Sequence, residues 1–170
     1  MLSAVQALPI FRVGFGLYFL SQALDKTING WLASGEPLAR ILQPALPRSE
    51  AVYRPFLEGT VLPNVGLFAQ LVTLGEWVVG LSLVLGLLTR GGALLGMWLN
   101  ANYMLMKGLT NNAGSSDRLF FLAELAFLLA AAGLVWGLDG ALREALRSAP
   151  VVRWLAGIRE PRPGGAPARP

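Results

Sequence analysis

The chain has 170 residues, enough for one domain, yet 54% are hydrophobic and only 14% charged, against about a quarter charged in a soluble globular domain. A mean hydropathy of +0.54, carried in long apolar runs, makes lipid the solvent for much of the chain. The absence of cysteine and histidine excludes disulfides, thiol redox chemistry, thiolate-held iron–sulfur clusters and histidine-ligated haem or metal on this chain.

The predicted elements are four apolar segments at about 3–24, 65–89, 91–109 and 119–138, each long enough to cross a ~30 Å hydrocarbon core as a helix. The first carries Arg12 inside it and no cation before it, so it is expected to be a retained span rather than a cleaved leader. Residues 25–64 follow, interrupted by Pro37, Pro44, Pro47, Pro55 and Pro63. They are expected to form a loop with short interfacial helices, Trp31, Tyr53, Phe56 and Leu57 settling at headgroup level. Thr89, Arg90, Gly91 and Gly92 join the second and third spans in a tight hairpin. Residues 143–158 read as an interfacial amphipathic helix broken near Pro150, and 159–170 as a disordered tail. The fold expected is therefore all-α, an integral membrane four-helix bundle over residues 1–142. Net charge is +4, with Arg143, Arg147, Arg153, Arg159, Arg162 and Arg169 gathered at the C-terminal end. That distribution suits a membrane surface rather than nucleic acid, and favours cytoplasmic termini.

Ionisable side chains inside spans are functional hypotheses by default. Arg12, Glu76 and Glu124 fall at about 14, 20 and 22 Å from the cytoplasmic ends, with Asn100 and Tyr103 at about 14 and 18 Å, on a 1.5 Å rise. Polar and small residues recur at helical spacing on each span: Arg12, Gly16, Phe19, Ala23 and Lys26; Gln70, Thr73, Glu76 and Gly80; Gly96, Asn100, Tyr103 and Lys107; Asp117, Phe121, Glu124 and Leu128. Four such stripes facing inward line a polar cavity. By depth Arg12 pairs with Glu76, which leaves Glu124 as a buried acid able to donate or carry a proton. Lys26, Lys107 and Arg118 stand at the outer mouth, placed to attract an anion. The alternative reading of the same charges is that they fix which helix packs on which, without chemistry.

No phosphate loop, dinucleotide fingerprint, nucleophile elbow or metal spacing is present. A family resemblance is. Arg12-Val13-Gly14 with Lys26, Leu62-Pro63-Asn64, the run from Gly75-Glu76-Trp77 to Gly86-Leu87-Leu88-Thr89-Arg90, and Gly137-Leu138-Asp139 resemble the DoxX/DoxD group of small four-span proteins of bacterial and archaeal cell membranes. Ala23 stands where that family often has glycine. The resemblance implies a quinone-linked membrane component associated with other subunits, DoxD being the membrane partner in thiosulfate:quinone oxidoreductase. On that expectation Glu76 and Glu124 manage protons, and Arg12, Asn100, Tyr103, Lys26 and Lys107 bind the ligand. Quinone is then the cofactor, in contact with no metal held by this chain, and electrons arrive from a partner or donor. The competing expectations are a non-catalytic accessory subunit of a respiratory or photosynthetic complex, and a proton or solute transporter.

Overall fold

The computed structural model describes residues 4–146 and 148–158; the expected tail at 159–170 lies outside the described residues. The chain is all-α. Its long elements are α1 (Ala4–Ile28), α4 (Val65–Leu85), α5 (Thr89–Lys107) and α6 (Ser115–Ala130). Between α1 and α4 run α2 (Glu36–Ala45) and α3 (Arg54–Phe56), and a widened turn at Leu57–Val61 continues α3 into α4. After α6 come α7 (Leu138–Ala141), α8 (Arg143–Leu146) and α9 (Pro150–Leu155).

Two stretches, Ala7–Ile28 and Arg54–Leu85, are long and apolar enough to cross a membrane. The helix expected over 119–138 instead begins at Ser115 and stops at Ala130. Ala131 and Trp136 adopt the left-handed conformation at φ 48° and 50°, and the chain folds back across the end of the bundle. The amphipathic helix expected over 143–158 is two short helices. The second docks on the bundle, with Leu155 against Gly91 and Ala156 and Ile158 buried.

The bundle closes in the order α1, α4, α5, α6. Gly16 and Gly80 set the register between α1 and α4, because a Cβ at Gly16 would lie 2.7 Å from the Val84 backbone nitrogen and one at Gly80 2.9 Å from that of Leu20. Small residues let two backbones approach this closely. The α1–α6 side is spaced by rings instead: Phe15 meets Phe120 and Phe127 at 5.3 and 5.6 Å between centroids, and Tyr18 meets Phe120 at 4.8 Å. Close packing on one side and aromatic spacing on the other leave room between α1, α5 and α6.

The α4–α5 hairpin turns within three residues. Gly86, at φ 64°, caps α4 by bonding its N–H to the Ser82 carbonyl. A helix start leaves backbone N–H groups without partners and carries partial positive charge. Asp139 answers both needs from the far end of the chain, its carboxylate accepting from the Leu88 and Thr89 amides at 2.6 and 2.9 Å. Burial pushes the Asp139 carboxyl above its ordinary range, opposed by those amides and by the Arg12 charge.

Candidate functional site

A cavity of about 390 Å³ lies among α1, α2, α4, α5 and α6, within the range of small-molecule sites. Glu76 sits in it, 3% exposed. Lys26 donates to Glu76 Oε1 at 2.9 Å and lies 2.7 Å from Oε2, while the Tyr103 hydroxyl donates to Oε1 at 3.0 Å. One carboxylate thus gathers a cation from α1 and a phenol from α5. Lys107 bonds both Asp117 oxygens, at 3.1 and 2.8 Å. Aromatic walls complete the space: Tyr18, Phe19, Trp31 and Phe120, with the Lys26 ammonium 5.3 Å from the Trp31 ring centroid and the Lys107 ammonium 5.2 Å from that of Tyr103.

Among the predicted site residues, Lys26, Glu76, Asn100, Tyr103 and Lys107 come together around this cavity. Glu124 does not line it. It is fully buried behind Asn100, whose amide donates to both of its oxygens at 3.0 and 2.9 Å. Arg12 lies elsewhere, and the expected Arg12–Glu76 pair does not form. Fourteen residues separate Arg12 from Lys26, about 21 Å along a helix, and the Gly16–Gly80 register carries Arg12 to the Gly86 end. There it is fully buried and donates to the Ala132 and Trp136 carbonyls at 3.0 and 2.9 Å, with Asp139 as its nearby charge. Gln70, expected on the inner stripe, is exposed and donates to the Leu32 carbonyl at 3.0 Å.

The expected anion-attracting mouth is also revised. Both lysines face carboxylates, and Arg118 donates to the Leu109 and Asn111 carbonyls at 2.5 and 3.2 Å. Counting Asp25, the cavity is lined by two cations and three carboxylates, a balance that does not favour a small anion. Sequence reasoning missed Asp25, Gln22 and Asn29 as lining residues; the one-turn spacing of Gln22 and Asn29 from Lys26 on a helix was the available signal. Among the described residues, no group of three or more potential metal-binding side chains occurs.

Gly96 makes the room that Glu124 occupies, since a Cβ there would collide with the Glu124 carboxylate. Gly96→Ala is expected to cost about 1–3 kcal/mol, as overpacking does, and Glu124→Ala in that background should restore part of it. Thermal unfolding of the four proteins in one detergent checks the coupling; additive effects would show that the two residues do not meet.

Residues 8–157 match the family described as TQO small subunit DoxD. No curated protein and no solved structure matches the chain. The residues that carry the resemblance divide by position: Lys26 and Glu76 face the cavity, whereas Arg12, Thr89 and Asp139 close the opposite end. A small subunit implies partner subunits, and thiosulfate:quinone oxidoreductase is a membrane complex. With a match running over nearly its whole length, the chain belongs to the DoxD family, the small subunit of thiosulfate:quinone oxidoreductase.

Proposed function

We propose that this chain is a four-span membrane subunit with cytoplasmic termini, and that its polar cavity receives the ring of a quinone. The observation that carries the reading is the Lys26–Glu76–Tyr103 group inside an aromatic-walled cavity of about 390 Å³. A quinone ring is flat, uncharged and apolar on its faces, with carbonyl oxygens at its edge. Aromatic walls suit the faces, while an ammonium and a phenol suit the carbonyls. The near balance of charge around the cavity suits a neutral ligand.

Quinone reduction takes up two electrons and two protons. When bound, the quinone supplies the electron-accepting chemistry, and the electrons come from a partner subunit or donor. This chain's residues bind, orient and handle protons. Lys26, whose ammonium has a hydrogen to spare, donates to the ligand, and Tyr103 does so when its single hydroxyl hydrogen turns from Glu76 to the quinone carbonyl; Glu76 is the acid–base group they share, and Glu124 is a second carboxyl one residue removed, behind Asn100. The four-span arrangement is supported by the outward apolar belt of α5 and α6, where Trp98, Leu119, Leu122 and Leu129 are exposed although α6 alone is about 24 Å long.

Trp31 lines the cavity and reports its occupancy. In nanodiscs, a tail-less ubiquinone headgroup should quench a saturable part of the tryptophan emission, and Trp31→Phe should abolish that part. Tyr103→Phe is expected to weaken the same quinone about fivefold, the worth of one hydrogen bond of about 1 kcal/mol. Quenching that never saturates, or is indifferent to Trp31, refutes the reading. A second reading, a non-catalytic accessory subunit, is supported by the Arg12–Asp139–Thr89 lock, in which buried charge ties one end of the bundle together.

A further inference from the structure

A second cavity of about 70 Å³ lies beside α3 and the widened turn that follows it. Its apolar walls include Leu42, Leu57, Val61, Phe68, Val72 and Leu99. The polar groups that reach it are already engaged. The Tyr53 hydroxyl donates to Asn102 Oδ1, and the Asn102 amide donates to the Trp98 carbonyl at 2.7 Å. Burial pushes the Tyr53 phenol above its ordinary range, which keeps it a donor. The Tyr103 hydroxyl is turned to Glu76. An apolar space whose few polar groups bond one another accepts hydrocarbon in preference to water.

This space adjoins the polar cavity across a common wall. Leu38, Tyr103 and Met106 line both, so the phenol of Tyr103 serves one side and its ring the other. Met106 is the adaptable part of that shared wall, being unbranched with three rotatable bonds. Phe56 and Trp98 stand at the outer side of the second cavity and are 37% and 56% exposed on the bundle surface. A hydrocarbon chain therefore has a wall shared with the ring site at one end and an apolar exit at the other.

From this adjacency we propose that the second cavity holds the first carbons of the aliphatic tail of a lipid quinone whose ring occupies the polar cavity, the tail passing where the Met106 side chain yields. The inference rests on the quinone reading above and adds a second point of recognition, a subsite for the quinone's tail beside the one for its ring.

The full-length chain in nanodiscs of fixed lipid content is titrated with decylubiquinone and with the tail-less headgroup, both read by Trp31 quenching. Val61→Phe fills the second cavity without touching the ring site. It is expected to weaken decylubiquinone about tenfold, roughly the contribution of two buried methylenes, and to leave the headgroup unchanged. Val61→Ala, which keeps the space open, should retain both affinities. Leu57→Phe repeats the comparison on the same wall if Val61→Phe does not fold. Undiminished decylubiquinone binding to a folded, filled variant overturns the tail subsite and leaves the ring site standing. No saturable binding of either quinone to the wild type overturns the ring site, and this proposal with it.

Discussion

Lys26→Met is expected to destabilise the protein by about 3–5 kcal/mol, the usual cost of removing one partner from a buried ion pair. The lysine and glutamate side chains are 13% and 4% exposed, so the Glu76 charge left behind is poorly solvated. Tyr103 retains one hydrogen bond to it, too little to offset a buried charge. Adding Glu76→Gln removes the charge and should restore most of the lost stability, with the Tyr103 hydroxyl still able to donate to the amide oxygen. Thermal unfolding of both variants and the wild type in the same nanodiscs makes the comparison. An unchanged midpoint in Lys26→Met would show that the pair is not held in the folded protein. Both variants should also lose headgroup quinone binding, and the double variant matters most there: it is stable but inactive in binding. That separation of stability from binding is what a purely structural ion pair does not produce.

Asp139→Ala is expected to have the converse signature. It removes the acceptor for the Leu88 and Thr89 amides and the charge nearest to the buried guanidinium of Arg12. Loss of a helix cap costs about 1 kcal/mol and exposure of an uncompensated buried charge several more. A total near 3 kcal/mol is the expected outcome in the same unfolding assay. Asp139→Asn keeps a neutral acceptor and should lose less. Quinone affinity of the folded protein should not change in either variant, because the lock and the polar cavity sit at opposite ends of the bundle. A drop in affinity equal to that of Lys26→Met, at preserved folding, would place Asp139 in the ligand site and contradict this division.

Together the two variants sort the buried charges into roles that composition treats alike. Arg12 and Lys26 occupy the same helix and the same inner stripe, yet one ties the α4–α5 turn to the end of α6 and the other faces the cavity. Each has the partner that its own end of the bundle supplies: backbone carbonyls at one end, a carboxylate at the other. Lys26 and Lys107 are matched by Glu76 and Asp117, which leaves little unbalanced positive charge to draw an anion.

The sequence by itself determined the class of the molecule. Apolar runs with few charges dictate helices, and the helical period places Glu76, Asn100, Tyr103, Lys26 and Lys107 on inner faces, because burying a polar face against lipid is costly whatever the neighbours are. Family membership was equally legible, in the run from Gly75 to Arg90 and in Gly137-Leu138-Asp139. Only the tertiary structure decided who meets whom. Depth along a helix is a single coordinate, so it paired Arg12 with Glu76; the register that carries Arg12 away is set by the contact of Gly16 and Gly80 with the facing backbone. The end of α6 at Ala130 was hidden because an apolar run to Leu138 reads as uninterrupted helix, whereas the chain bends to bring Asp139 to the α5 start. The second cavity had no sequence signal at all. A void is made by residues distant in sequence that fail to fill the space between them, and no local pattern records what is absent.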